Sequence, residues 1–120
     1  MKQKRVSFTY KKKKISLEVK ECRGLMMGVG LTWKRRQNAH ALLFDFGKDT
    51  DAALTALFVF FPFVAIWLDK NGKVVEKRVI KPFEFSIKPK KNFVKVIEIP
   101  LNDKYKKEAK VLVGKERFKN

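Results

Sequence analysis

The side chains that could do chemistry in this sequence are few and lie far apart along the chain. Cys22 precedes Arg23, whose positive charge would favour a reactive thiolate. His40 begins a predicted strand. One cysteine and one histidine cannot form a closed zinc site, which takes four ligands. We therefore interpret Cys22 as a small, half-buried apolar residue at a strand end and His40 as a hydrogen-bonded edge residue.

Two other patterns resemble ligand sites without following their rules. The glycines of "RGLMMGVG", residues 23–30, suggest a phosphate loop, but no Gly-Lys-Ser/Thr follows them. A tight turn above core side chains fits that segment better. The aspartates of residues 45–51 surround a glycine, but they lack the spacing of a calcium loop and are expected to be solvated. We predict no catalytic residue, no cofactor and no metal ion.

Charge is the stronger indication of function. The chain has 29 Lys and Arg against 12 Asp and Glu, a formal net charge of +17, whereas a small domain stays soluble with a net charge of about 2 to 8. An anionic partner, nucleic acid or another polyanion, fits this excess. Most of the basic residues are lysines, which lack the planar geometry that reads base edges, so binding is expected to be nonspecific. Solvated faces or adaptation to high temperature remain alternative explanations.

Two basic clusters are the best candidates for anion binding. One covers Lys11 to Lys14, and the other covers Lys34 to Arg36 and follows Trp33. An aromatic ring beside cations can stack on a base while the cations hold its phosphate. Trp33 also fits a role in covering the core beneath a loop; we favour that interpretation, and base stacking stays open as the alternative. The predicted anion-binding residues are Lys11, Lys12, Lys13, Lys14, Trp33, Lys34, Arg35 and Arg36.

The longest apolar run, within "TALFVFFPFVAIWLDKNGK", decides between a membrane helix and a buried core. The seventeen residues from Ala52 to Leu68 carry no charge, whereas a spanning helix needs roughly 20. Pro62 would break a helix near its middle. Phe and Val favour strands. We therefore predict two buried strands, residues 56–61 and 63–69, and no membrane span.

The first of these strands has apolar residues on both faces, which predicts a central strand covered on both sides. Phe58, Phe60 and Phe61 should be buried, and Phe60→Ala should destabilise the fold by about 3–5 kcal/mol. Asn71-Gly72 predicts a tight turn in which both residues have positive φ, leading into a strand over residues 73–80.

The remaining elements are also mainly strands. "RVSFTY" and "ISLEV" form a predicted hairpin that turns within Lys11 to Lys14, and "AHALLFDF" and "FVKVIEIP" are two further strands. "RGLMMG" is at most one short turn, and "NDKYKKEAK" predicts a helix with Asn102 as its N-cap. We predict a mainly β fold, α+β at the margin, with a compact barrel-like antiparallel sheet and one or two short helices. It should be a single domain of residues 1–120, frayed at 1–4 and 117–120, in the cytoplasm.

Five motifs carry a family resemblance. "RGLMMG", "HALLFDF", "LFVFFPFVAIWLDKNGKVV", "VKVIEIP" and "VLVGK" occur in the order and roughly the spacing of the family known as domain of unknown function 192, especially its archaeal branch. The chain resembles it from about residue 6 to residue 115. The resemblance implies a compact, barrel-like β fold with one or two short helices, and it implies no activity, cofactor or catalytic residue.

The chain also departs from that family. Archaeal relatives often have a polar residue, commonly His, before the Phe-rich strand and Pro-Ile-Asp after it, where this chain has Thr55 and Pro62-Phe63-Val64. Val64 can act neither as an acid nor as a base. These departures favour a non-catalytic binding module for an anionic polymer, a protein or a small ligand. A small enzyme whose site the sequence does not reveal stays open as the alternative.

Overall fold

The protein folds as a curled six-stranded sheet with one short α-helix. The computed structural model describes residues 2–22, 35–54, 59–84 and 86–114. The elements are β1 (Lys2–Tyr10), β2 (Lys13–Cys22), β3 (Leu42–Thr50), β4 (Phe63–Leu68), β5 (Val74–Ile80), β6 (Phe93–Pro100) and α1 (Lys106–Val113). The strands run in the order β1-β2-β3-β6-β4-β5, and β2 and β3 are parallel whereas the other neighbours are antiparallel. This confirms the prediction of a mainly β, barrel-like fold.

β4 lies between β5 and β6, and all six of its residues are buried. A strand covered on both faces needs an uninterrupted apolar sequence, which "FVAIWL" supplies. Ala65 and Trp67 belong to one hydrophobic cluster, which we call the outer core. Val64 and Ile66 belong to a second cluster on the other face of the strand, which we call the inner core. The predicted strand after Pro62 is therefore present.

The two cores are covered by different kinds of structure, one by a hairpin and a helix and the other by loops. In the inner core, Leu17 of β2 and Ile97 of β6 pack with Leu112 of α1, so the β1–β2 hairpin and the helix close one face of the sheet. In the outer core, loop residues such as Val59 and Ile87 cover the opposite face. The irregular segments are thus part of the hydrophobic structure.

The predicted strand over residues 56–61 is wrong where the structure describes it. Residues 59–61 form no strand, and residues 55–58, including Phe58, lie outside the described residues. Val59 and Phe61 are buried in the outer core, whereas Phe60 is 53% exposed. Residues 59–61 do not pair with the sheet, and their side chains alternate between the outer core and solvent. The predicted burial of Phe60, and the core-truncation penalty with it, is therefore wrong.

The β4–β5 connection differs in detail from its prediction. Gly72 has a φ of 79°, as expected, but Asn71 does not have a positive φ. The carboxylate of Asp69 accepts the backbone N–H groups of Asn71 at 2.8 Å and Lys73 at 2.9 Å. An aspartate that bonds to the backbone ahead of it stabilises a longer turn than a two-residue hairpin.

The start of α1 also differs from its prediction. A 3₁₀ turn over Asp103–Tyr105 precedes α1, and Asn102 makes no side-chain capping bond. Residues 2–4, expected to fray, are paired with β2. "RGLMMG" and residues 117–120 lie outside the described residues. Within the described ranges, no helix is both long enough and apolar enough to cross a membrane.

Candidate polyanion-binding surface

The curl of the sheet brings its two edge strands, β1 and β5, together at one end, which we call the seam. Thr9 and Lys73 form an isolated parallel bridge there. The Nζ of Lys77 donates to the hydroxyl of Tyr10 at 2.9 Å and to the carbonyl of Leu112 in the last turn of α1 at 2.5 Å. Helix C-termini carry a partial negative charge, so an ammonium is well placed at this point. Lys77 therefore ties β5 to β1 and to the helix.

Tyr10 lies in a positive environment. The Nζ atoms of Lys77 and Lys11 lie 4.8 Å and 5.4 Å from the centroid of its ring, within the range of cation–π attraction. The hydrogen bond from Lys77 lowers the pKa of Tyr10, the charges of Lys77 and Lys11 lower it further, and burial opposes them. The seam thus favours negative charge on an oxygen atom.

The β1–β2 turn places two lysines in an unfavourable backbone conformation. Tyr10 pairs with Lys13, so Lys11 and Lys12 form a two-residue loop, with φ of 49° and 68°. Two positive φ angles are what a type I′ turn requires, and Asn-Gly is its preferred sequence. A left-handed conformation costs a residue with a side chain roughly 1–2 kcal/mol. Both lysines are exposed, so no burial offsets that cost.

An open groove of about 570 Å³ follows the seam. The one carboxylate among its described lining residues, that of Glu76, forms an ion pair with Arg78 and accepts the backbone N–H of Lys90 at 2.8 Å. Burial opposes ionisation of Glu76, but these two hydrogen bonds lower its pKa. The charge of Glu76 is therefore already neutralised. The lining residues are Thr9, Tyr10, Lys11, Lys73, Val74, Val75, Glu76 and Lys77.

Exposed lysines continue from this groove along β5. Lys90 is held beside β5 by Glu76, Arg78 donates to the carbonyl of Lys88 at 3.0 Å, and Lys81 directly follows the strand. The seven residues of β5 span about 20 Å, because a strand advances about 3.3 Å per residue. None of these exposed lysines forms an ion pair with a residue in the described ranges. We call this set the basic track: Lys11, Lys12, Lys73, Lys81, Lys88 and Lys90.

The first predicted cluster lies at the start of this track. Lys11 to Lys14 are all exposed at the tip of the β1–β2 hairpin. The track lysines from residue 73 onwards were not among the predicted site residues. The "KPKK" sequence of residues 88–91 is a local signal for part of them. No local signal reveals that β5 meets β1.

The described part of the second predicted cluster, Arg35 and Arg36, has a different location and a different role. Trp33 and Lys34 lie outside the described residues. Arg35 and Arg36 are exposed, but the Nε of Arg36 donates to the carbonyl of Leu101 at 2.6 Å. The carbonyl of Arg36 in turn accepts the side-chain N–H of Asn102 at 2.7 Å. Arg36 therefore anchors its own segment to the residues before α1.

The structure does not bring the described parts of the two clusters together. Lys20, at the far end of β2 from the hairpin tip, donates its N–H to the carbonyl of Ala41 at 2.8 Å. The seven steps from Lys13 to Lys20 correspond to about 23 Å along a strand. Arg36 lies beyond Ala41, close to Asn102. Anion binding at the hairpin tip would therefore involve residues of the seam and not Arg36.

A smaller polar cleft of about 320 Å³ lies at this second end of the sheet. The hydroxyl of Tyr105 accepts the N–H of Ala41 at 2.7 Å. Burial raises the pKa of Tyr105, and the charges of Glu108 and Glu18 raise it further. Cations and carboxylates are mixed here. The polar residues of its lining are Gln3, Arg5, Glu18, Lys20, His40, Lys104, Tyr105 and Glu108.

Cys22 and His40 do not come together as a site. Cys22 is buried in the outer core, with its Sγ 3.9 Å from the carbonyl of Lys20. The Nδ1 of His40 lies 3.3 Å from the Nζ of Lys104 in the polar cleft. Across the residues that the structure describes, no three His, Cys, Asp or Glu side chains are placed to hold a metal ion.

Comparisons with known proteins relate this chain to two solved structures. A crystal structure of a "putative transcription regulator" from Sinorhizobium meliloti 1021 has a TM-score of 0.73 and 21% sequence identity, covering 90% of this chain and 87% of that chain. A protein of unknown function from Novosphingobium aromaticivorans DSM 12444 has a TM-score of 0.70 and 13% identity, covering 88% and 77%. No family model and no curated protein matches the chain. The chain therefore shares its fold with these two bacterial proteins.

Proposed function

We propose that this protein is a non-catalytic module that binds nucleic acid through its phosphates, using the basic track along β5. The observation that carries this proposal is a line of exposed lysines about 20 Å long, none of which forms an ion pair with a described residue. Each lysine that neutralises a phosphate releases condensed counterions, and this release drives the association. A cytoplasmic setting, where nucleic acid is abundant, belongs to the same proposal.

The geometry supports binding that is independent of sequence. The track consists of lysines on a hairpin tip and on loops beside an edge strand, and no described helix presents side chains that would read a groove. Phosphate contacts fix position and orientation but carry no sequence information. The Sinorhizobium meliloti protein, described as a regulator of transcription, supports a nucleic-acid partner only through the shared fold.

A protective role is the main competing explanation for these lysines. Charged side chains on edge strands discourage edge-to-edge aggregation, and β5 is an edge strand. Under that explanation, removing the charges would promote aggregation without changing affinity for an oligonucleotide. All six track lysines lie in turns and loops outside β5 itself, which favours binding.

The experiment compares two triple variants with the same change of charge. One variant replaces Lys73, Lys88 and Lys90 by Gln, and the control replaces Lys104, Lys106 and Lys107 by Gln. The control residues adjoin Tyr105, whose hydroxyl contacts Ala41 at the end of the sheet away from the seam. A fluorescent random duplex is titrated at several salt concentrations. We expect the track variant to flatten the slope of log K against log salt by about 2 to 3, since each lost phosphate contact removes about 0.9.

The control variant should change this slope by less than one contact. Equal effects of the two triple variants would show that total charge and not the track is responsible. Absence of binding by the wild-type protein at low salt would refute the proposal altogether. Affinity that depends strongly on sequence would show that a base-reading surface exists elsewhere.

Two further interpretations, a family membership and an enzymatic function, are also proposals. Membership of the domain of unknown function 192 family still depends on the quoted motifs. The enzyme alternative has its best location in the polar cleft, where His40 and Lys104 lie near the carboxylates of Glu18 and Glu108. Among the described residues, its lining includes no serine, threonine or cysteine nucleophile. We therefore prefer the binding function.

A further inference from the structure

We propose that Phe60 and Phe83 form a stacking platform for the bases of single-stranded nucleic acid at the far end of the basic track. The inference rests on the proposed function, because the track would hold the phosphates of the same strand. It adds a preference for single strands over duplex. Both rings lie beyond the end of β5 that is remote from the seam, next to Lys81.

Phe83 is held in a turn that does not suit its side chain. Lys81 and Glu84 close the turn, since the N–H of Glu84 donates to the carbonyl of Lys81 at 3.4 Å and the N–H of Lys81 donates to the Glu84 carboxylate at 3.1 Å. Pro82 takes the second position, and Phe83 takes the third with a φ of 69°. A positive φ after proline is the geometry of a type II turn, whose third position prefers Gly or Asn.

The ring of Phe83 gains no burial that would compensate for this conformation, because the residue is 51% exposed. Its main described contact is Phe60, with ring centroids 5.5 Å apart and planes at 78°. Phe60 is 53% exposed, although Val59 and Phe61 on either side of it are buried. In the described ranges, these are the two large apolar side chains with more than half of their surface exposed. Strained residues that persist in a fold are concentrated at binding sites.

The surroundings of the two rings favour an anionic chain that carries flat apolar groups. Lys81 belongs to the same turn, and Lys88 lies beside β5 through its bond with Arg78. Single-strand-binding proteins combine such cations with aromatic rings on which successive bases stack. Bases in a duplex already stack on one another and cannot reach the rings. A protein partner would require a wider apolar surface than two rings.

The experiment uses the full chain and two probes, a fluorescent oligothymidylate and a random duplex of equal length. Phe83→Gly removes the ring and relieves the positive φ, so its thermal midpoint should equal or exceed that of the wild type. We expect this variant to bind the single strand about tenfold more weakly and the duplex with unchanged affinity. Phe60→Ser should behave likewise toward both probes. Phe83→Tyr keeps a stacking face and should retain the affinity, and Val111→Ser controls for loss of an exposed apolar side chain.

The outcomes separate this inference from the proposed function. If the wild type binds both probes and Phe83→Gly leaves the single-strand affinity unchanged, stacking is refuted while polyanion binding stands. If the wild type binds neither probe at low salt, both are refuted. If Phe83→Gly abolishes a concentration-dependent dimer without affecting either probe, the rings form a protein contact and the inference is wrong.

Discussion

The Tyr105 end of the curled sheet and the hairpin tip at the seam differ in how their polar side chains are bonded. At the Tyr105 end, three side chains bond to the backbone: Asn102 donates to two carbonyls, Arg36 donates to a third, and Tyr105 accepts the N–H of Ala41. At the seam, by contrast, Lys11 and Lys12 are exposed and have positive φ angles. Neither of these two lysines forms an ion pair with a described residue.

This difference indicates which substitutions should change stability and which should change binding. Buried polar groups stabilise a fold only while their partners are present, because an orphaned group keeps its full desolvation penalty. Exposed like charges destabilise the compact state by mutual repulsion, and left-handed lysines add backbone strain. Substitutions of the buried groups at the Tyr105 end should therefore lower stability without weakening association, and substitutions of the exposed lysines at the hairpin tip should weaken association without lowering stability.

The largest effect is expected at Glu98, close to the Tyr105 end. Glu98 is 5% exposed on β6, where it pairs with Leu42 of β3 and Ala65 of β4. Burial raises its pKa to about 8. The folded protein therefore binds this proton more tightly than the unfolded chain, whose carboxyl titrates near 4.5. The resulting stability is fully present below about pH 4.5 and is lost as the pH rises through 8.

The whole loss should be on the order of 4–5 kcal/mol, at 1.36 kcal/mol per pKa unit. Urea unfolding of the wild type at pH 5 and pH 8 should show about 3–4 kcal/mol of it, because these two pH values lie close to the two pKa values and not beyond them. Glu98→Gln should remove most of this pH dependence and should be more stable than the wild type at pH 8. An unchanged pH dependence in the Gln variant would mean that Glu98 remains ionised in the folded protein.

A smaller loss of stability is expected for Asn102→Ala. Asn102 is buried, and its amide donates to the carbonyls of Arg36 at 2.7 Å and Ala39 at 3.0 Å. Leaving these carbonyls without donors should lower the free energy of unfolding by about 2–3 kcal/mol. Urea unfolding tests this, with the exposed Asn92→Ala as a matched control that should change stability by less than about 0.5 kcal/mol. Affinity for an oligonucleotide should not change, and a weaker affinity would contradict the separation of the two ends.

Much of the sheet could be predicted from local patterns, because strands with an apolar face leave a clear signature in the sequence. β4 is the best case, since an uncharged run of Phe, Val, Ile and Trp is what a strand covered on both faces requires. Residues 59–61, just before Pro62, are also apolar but cover the outer core as a loop. Composition could not distinguish them, because a covering segment also alternates between core and solvent, as Phe60 and Phe61 do.

The candidate site could be predicted only where it is contiguous in the sequence. Lys11 to Lys14 were identified because they are neighbours along the chain. Lys73 joins them only because the edge strands β1 and β5 meet, and this long-range pairing has no local signature. Phe60 and Phe83 were missed for a related reason: Phe residues are usually buried, and nothing in the sequence indicates that these two are exposed.

The smallest expected change in stability is a gain and not a loss, and it concerns the hairpin tip. Replacing Lys11 by Asn and Lys12 by Gly supplies the sequence that a type I′ turn prefers. We expect the free energy of unfolding to increase by about 1 kcal/mol, because the new residues tolerate the observed positive φ angles. The same change removes two charges from the basic track, so the salt slope for duplex binding should flatten by up to about 2. A protein selected for stability alone would gain from this change and lose nothing.

The control for this prediction is Lys11→Gln with Lys12→Gln, which removes the same charges but keeps side chains that do not suit the turn. Both double variants should lose the same part of the salt slope, and only the Asn-Gly variant should become more stable. Equal stabilisation of the two would mean that charge repulsion and not backbone strain disfavours the wild-type tip. An unchanged salt slope in both would remove the hairpin tip from the binding surface and leave the track to begin at Lys73.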